Sequence, residues 1–263
     1  MDPPPRAAVP ARRASRPARR PVMVWLAGTI GLDAWGAMGE RLAWDVSEPD
    51  GRPPTLVICE LEPSITVGRL GSRFDVELTD EELSRERTPL RFIGRGGGAI
   101  LHYPGQVHVA LFARLTDLGI DPCDAGGLVE RMETGLEEAV RRLRCPVARD
   151  SGRHGVFGRV GLLAAVGMAV RRGVSSHGAW LNVTPPPAAG RRVRTACGRP
   201  RDGAAMSSVE ADVRRRVRLQ DARSALVEQL VDAYAFPSCH VQSGFPLPLR
   251  SGGDSREVFR SVG

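Results

Sequence analysis

Leu162-Leu-Ala-Ala-Val-Gly-Met-Ala-Val-Arg-Arg-Gly-Val-Ser-Ser-His-Gly-Ala-Trp-Leu-Asn-Val183 is the stretch on which the fold turns. It contains most of the longest apolar run, Val160 to Val170, which Gly161 and Gly167 interrupt and Arg171-Arg172 close. A membrane span needs roughly 18 apolar residues, so this run is too short for one. It reads as a buried strand over Leu162–Val170, followed across turn residues by a second over Ser176–Val183. Val156–Phe157 precedes them as a short strand.

Helical periods flank these strands. Upstream, Asp124 opens a helix to Leu143 that keeps Leu128, Val129, Met132, Leu136, Val140 and Leu143 on one side. Downstream, Val209–Val217 and Leu219–Tyr234 read as helices. Nearer the N-terminus, a first strand begins at Val22. Leu32, Trp35, Met38, Leu42 and Val46 then mark a helix, and Thr55–Leu61 a buried strand that Glu62-Pro63 ends. Leu78–Arg87 is a short acidic helix with Thr79 as its cap. Leu90–Ile93 is a strand running into the loop Gly94–Gly98, and His108–Leu115 is another strand. Strands and helices alternate without a repeat, which implies one mixed α/β domain of the α+β type over residues 22–236.

Residues 1–21 hold six prolines, six arginines and one acid, a composition that cannot pack a core and is expected to be disordered. Residues 237–263, rich in Pro, Gly and Ser, are expected to form a loose tail. Five cysteines with no CxxC pair point to a reducing compartment, the cytoplasm, and no Cys/His grouping has zinc-ligand spacing. The net charge is +7, and all 37 basic side chains are arginine; the chain contains no lysine. A basic surface suits an acidic partner. Nucleic-acid motifs and aromatics interleaved with basic residues are missing, so nucleic acid is not the expected partner.

Three segments can carry chemistry. Arg95-Gly-Gly-Gly-Ala-Ile-Leu-His-Tyr-Pro-Gly-Gln106 sets a glycine run after a strand, where backbone can approach a ligand and offer free N–H groups. His177-Gly178 opens a strand and could hold an imidazole over a cleft. Thr195-Ala-Cys-Gly198 places Cys197 on a loop near Arg191, Arg192 and Arg194, a setting that favours a thiolate. Taken singly, these read as readily as a tight hairpin, a structural histidine and a free surface cysteine.

In order and spacing, RGGGAILHYPGQ, LLAAVG, SSHGAWLNV and ACG resemble the pattern of the lipoyl/octanoyl transferase family. Ile65-Thr-Val-Gly-Arg-Leu-Gly71 and Met206-Ser-Ser-Val209 extend the likeness over residues 24–236. The resemblance implies the biotin/lipoate protein ligase fold, a mixed sheet with helices packed on one side. It also implies transfer of an octanoyl group from acyl carrier protein to a lysine of a lipoyl domain, in 2-oxoacid dehydrogenases or the glycine cleavage H protein. By resemblance, Cys197 is the thioester-forming residue. Arg95, Gly96, Gly97, Gly98, Ala99, Ile100, Leu101 and His102 form the substrate loop. Ala165, Val166, Gly167, Gly178, Ala179 and Trp180 line the acyl pocket. No metal, no cofactor and no ATP are implied, and a monomer away from membranes is expected.

Leu162 falls where the family has a lysine that lowers the thiol's pKa and handles protons. An unassisted thiol has a pKa of about 8.5 and is only a few per cent thiolate at neutral pH. Arginine stays protonated and cannot serve as base. His102 and His177 are the remaining proton carriers, and a Cys–His pair suffices for acyl transfer. The alternative is a non-catalytic descendant that binds acyl groups or lipoyl domains. An ATP-dependent lipoate ligase would depend still more on the missing lysine.

Overall fold

The computed structural model describes residues 19–148, 152, 154–190, 192–196, 203, 204 and 206–246. The chain begins with β1 (Val22–Ile30), α1 (Leu32–Ser47), β2 (Thr55–Leu61), β3 (Ser64–Val67) and α2 (Asp80–Arg85). It continues through β4 (Leu90–Phe92), β5 (Ala99–His102), β6 (Gln106–Phe112), α3 (Ala125–Arg142), β7 (Val156–Phe157), β8 (Leu162–Arg171) and β9 (Val174–Asn182). It ends with α4 (Pro187–Gly190), β10 (Thr195–Ala196), β11 (Gly203–Ala204), α5 (Val209–Val213), α6 (Leu219–Ala233) and β12 (Cys239–Ser243).

The main sheet runs β12-β1-β2-β6-β9-β8-β7. Its β12–β1 and β1–β2 pairs are parallel and the rest antiparallel, so the sheet is mixed. A second sheet, β4-β3-β5, stands over part of one face.

Local chemistry accounts for the element ends. Thr79 caps α2 through a reciprocal box with Glu82, its hydroxyl accepting from Glu82 N–H and the carboxylate accepting from Thr79 N–H. Asp124 caps α3 by accepting from Gly127 N–H at 2.8 Å. The apolar stripes read from the sequence are the buried ones: Trp35, Met38, Leu42 and Val46 on α1, and Leu128, Met132, Leu136 and Val140 on α3.

Helices were expected on one side of the sheet, yet they cover both. β2 and β6 alternate between two apolar cores. Leu56, Ile58, Val107, Val109 and Leu111 pack towards α3 and α6, whereas Val57, Cys59, Ala110 and Phe112 pack under α1. Every residue of β6 is buried, so each face of this central strand needs a cover. α1 supplies it at one end of the second face and the small sheet at the other.

The C-terminal expectation also needs correction. Cys239–Ser243, read as part of a loose tail, is β12 and pairs with five residues of β1, from Val22↔Cys239 to Leu26↔Ser243. Its residues are mostly exposed, so it carries little apolar signal; backbone pairing to an otherwise open edge holds it. At the other terminus Arg19 donates to the carbonyl of Ala235 at 2.9 Å and Arg20 to that of Gly51 at 3.1 Å. The expected disorder of residues 1–18 lies outside the described residues.

A chain ended at Phe236 should therefore melt lower than the full chain. For a domain of this size each lost kcal/mol shifts Tm by about 2–4 °C, and loss of the β1 partner should lower it by several degrees. Thermal unfolding of both chains checks this, and equal melting temperatures would deny β12 a structural role.

Candidate functional site

The site is built where the small sheet meets the main one. β5 and β3 present Ile100, His102 and Thr66. β6, β8 and β9 present Gln106, His108, Ala165, Gly167, Gly178, Trp180 and Asn182. Register brings Asn182 beside Gln106, Trp180 beside both His108 and Ala165, and Gly178 beside Gly167.

Arg95 ties the two sheets. Its side chain is fully buried, with Cζ 4.7 Å from the centroid of the Trp180 ring. Nη2 donates to both the carbonyl and the hydroxyl of Thr66 at 2.9 Å, and Nη1 to the carbonyl of Gly96 at 2.8 Å. Burial lowers its pKa to about 9, which still leaves it charged at neutral pH.

The glycine run serves close approach. Gly96 N–H donates to the Met168 carbonyl at 2.8 Å, and a Cβ on Gly167 would sit 2.9 Å from both the Gly96 oxygen and the Trp180 ring. The carbonyls of Arg95, Gly97 and Gly98 accept from the amides of Arg69, Leu70 and Gly68. The loop's carbonyls are thus engaged by the Gly68–Leu70 turn, and of the N–H groups expected to be free for a ligand, that of Gly96 is taken up by β8.

A chain of hydrogen bonds leads away from Arg95, and its direction is determined throughout. Arginine only donates, so Thr66 Oγ1 accepts from it and turns its own proton to His102 Nε2, 2.9 Å away. His102 therefore carries its proton on Nδ1 and donates it to Gln106 Oε1 at 3.2 Å. Gln106 Nε2 donates to the Leu101 carbonyl at 3.1 Å and to Asn182 Oδ1 at 2.8 Å. Burial first, then the charge of Arg95, lowers the His102 pKa to about 3, so its ring is neutral. With both nitrogens engaged, His102 is a positioning residue here and not the free proton carrier expected from the sequence.

Leu162 is fully buried in an apolar cluster with Ile100, Phe157, Ala165, Trp180 and Met206. The indole of Trp180, also fully buried, stacks on His108 with centroids 4.9 Å apart and planes 15° apart. Ala165 and Gly167, expected to line an acyl pocket, pack against this indole, whereas Gly178 lies against the backbone of Val109 and Ala110. Cys197 lies outside the described residues, so its expected place at the mouth of that pocket is not measured.

His177 occupies a different compartment. It lines a groove of about 470 Å³ together with Trp35, Phe92, Phe112, Arg171 and Ser176. Its φ is +58°, unusual for a side-chain-bearing residue, and its Nδ1 is buried without a partner among the described residues. Desolvation, then Arg95, Arg171 and Arg69, lower its pKa to about 4, so it too is neutral at pH 7.

Residues 37–231 match the lipoyl protein ligase A/B catalytic domain. The octanoyltransferase of Geotalea uraniireducens is 32% identical over 197 residues, covering 75% of this chain and 86% of that protein. That of Geobacter sp. strain M21 is 34% identical over 173 residues, covering 66% and 78%. The chain belongs to the lipoyl protein ligase A/B catalytic domain family. Solved structures agree on the fold. A bipartite lipoate protein ligase from Thermoplasma acidophilum superposes with a TM-score of 0.65 at 16% identity, covering 85% of this chain and 87% of that one. Lipoate-protein ligase A bound with ATP superposes with a TM-score of 0.64 at 14% identity, covering 85% and 89%.

Within this member of the lipoyl protein ligase A/B family, Thr66, Gln106, His108, Asn182 and Ser207 belong to the site although none was singled out from the sequence. All but His108 lie inside the quoted motifs, and the available signal was a polar residue kept buried, four of them on strands and Ser207 in the segment after the Met206 bridge.

Two outcomes follow from this geometry. Leu162→Lys should cost several kcal/mol, because an ammonium would enter an apolar cluster without a partner, whereas Leu162→Met should cost less than about 1.5 kcal/mol. Urea unfolding of both variants measures the difference. The second concerns pH. Folded His102 stays neutral down to about pH 3, while the unfolded histidine protonates near 6.5. Between those values the unfolded state binds the extra proton, so stability is complete above 6.5 and falls as pH falls, by about 1.4 kcal/mol per unit. Urea titrations between about pH 7 and 4 should show a slope smaller by roughly one proton in His102→Gln than in the wild type.

Proposed function

We propose that the protein is an octanoyltransferase of protein lipoylation, in which Cys197 takes the octanoyl group from acyl carrier protein and passes it to a lysine of a lipoyl domain. The observation that carries this reading is the buried Arg95–Trp180 junction. It unites the segments expected to bind substrate, in a chain whose curated relatives are octanoyltransferases over most of their length. The chain's positive charge suits an acidic carrier, with lipoyl domains of 2-oxoacid dehydrogenases or the glycine cleavage H protein as acceptors.

The chemistry proceeds without an amine base, since the chain has no lysine. Of the two expected proton carriers, His102 has both nitrogens occupied, and His177 lines the separate groove under α1, neutral and with no partner for its Nδ1 among the described residues, so neither is assigned the proton of Cys197. The nucleophile is the Cys197 thiolate, and the departing carrier thiol leaves protonated. The acceptor amine then attacks the acyl-enzyme and returns the thiol.

A second reading is favoured by the Leu162 cluster. An apolar side chain at the expected lysine position, packed on an indole in the expected acyl pocket, suits a non-catalytic protein that binds acyl groups or lipoyl domains. Octanoyl-loaded carrier separates the two. Intact mass should show one octanoyl increment on the wild type and none on Cys197→Ala. The pH dependence of iodoacetamide labelling at Cys197 should give an apparent pKa well below about 8.5. Absence of the adduct, with a thiol pKa at or above that value, establishes the binding reading instead.

A further inference from the structure

Two buried polar groups face one small cleft and have no partner among the described residues. Asn182 and Ser207 are 1% and 4% exposed, and both Asn182 Nδ2 and Ser207 Oγ lack a hydrogen bond. Together with Leu101, Tyr103, Gln106 and Met206 they line a cleft of about 10 Å³. That is close to the space one oxygen-sized group requires. A buried donor left unbonded costs about 1–3 kcal/mol, so two in one small cleft call for an occupant that accepts.

The orientation of Asn182 is not arbitrary. Gln106 Nε2 is identified by its bond to the Leu101 carbonyl, which accepts only. It follows that the Asn182 atom facing Gln106 is the oxygen, and that the amide nitrogen is the group left for the cleft. Behind it the dipoles of Gln106, His102 and Thr66 run head to tail from the cationic Arg95, each bond polarising the next. The Asn182 N–H ends the chain with its positive pole outward. Ser207 is held from another direction, its N–H donating to the Leu162 carbonyl at 2.9 Å, which leaves its hydroxyl free.

We infer that Asn182 Nδ2 and Ser207 Oγ are the donors that receive the acyl carbonyl oxygen, making the cleft between them the oxyanion site of the transfer. This rests on the acyl-transfer reading above and extends it to residues with no other assigned part. As the Cys197 sulfur bonds to the carbonyl carbon, the π pair moves onto oxygen, where two preorganised donors meet it. On collapse the pair returns and the bond from carbon to the carrier's sulfur breaks. That thiol departs with the proton Cys197 gave up. The cleft admits a single oxygen acceptor and too little volume for a chain, so it discriminates by the carbonyl and not by acyl length.

The test compares two reactions of the same thiol in the full chain. Acylation by octanoyl–acyl carrier protein, followed by intact mass, builds negative charge on oxygen; alkylation by iodoacetamide does not. Ser207→Ala and Asn182→Ala should each slow acylation about 10²–10³-fold and leave the alkylation rate unchanged. Should Asn182→Ala fail to fold, Ser207→Ala alone decides. Acylation at the wild-type rate in the folded variants overturns the oxyanion assignment and leaves the transferase reading intact. A parallel fall in both rates also overturns it, since a merely structural role moves both. A wild type that never acylates removes the transferase reading and this inference together.

Discussion

The guanidinium of Arg95, buried between two sheets and with no ion pair among the described residues, is the group on which the site depends. Desolvating a charge costs several kcal/mol unless its donors are met. Here Thr66 meets Nη2 through both carbonyl and hydroxyl, Gly96 meets Nη1 through its carbonyl, and the Trp180 ring covers the plane, while Nε is buried with no hydrogen-bond partner among the described residues. These partners come from β3, from the glycine loop and from β9, so satisfying one charge determines how three segments sit. A lysine could not substitute, because a point charge on a flexible stem lacks the planar fork that reaches Thr66 and stacks on an indole.

The glycines follow from that arrangement. Gly96 and Gly167 face each other so closely that a methyl on Gly167 would strike a carbonyl oxygen and the Trp180 ring. Their small size lets the loop lie on β8 while the indole fills the space between. Polar residues then have one consistent way to bond. His102 is neutral because it is enclosed, and it holds a single tautomer because Arg95 at one end and the Leu101 carbonyl at the other allow no other order of donors and acceptors. The histidine expected to move protons instead transmits orientation.

The lysine-free composition meets the same architecture at Leu162. The side chain lies among Ile100, Phe157, Ala165, Trp180 and Met206, so the position is fully committed to packing. In the transferase reading, thiol activation then falls to electrostatic means other than an amine base, the chain's arginines and fixed dipoles among them. Arginine stabilises a thiolate without accepting its proton. A site working that way would gain more from stabilising the charge that develops on the acyl oxygen than from general-base help.

Periodicity and turn chemistry made most of the fold legible. The α1 stripe from Trp35 to Val46, the Thr79 and Asp124 caps, and strands β2, β8 and β9 follow from local rules, because side-chain spacing and capping act within a few residues. Ordered motifs were enough to imply the family. What the chain alone left undetermined were long-range pairings. β12 is short and mostly exposed, and only the open edge of β1 makes it a strand. Whether helices cover one face or both depends on β6 lying at the centre of the sheet. The part played by His102 was equally hidden, since it rests on Thr66, 36 positions away in sequence, and on an arginine whose burial no local pattern announces. Residue types and their order were written in the sequence; which of them face each other, and hence which histidine is enclosed and which amide is left to donate, was decided by the stacking of two sheets around a buried charge.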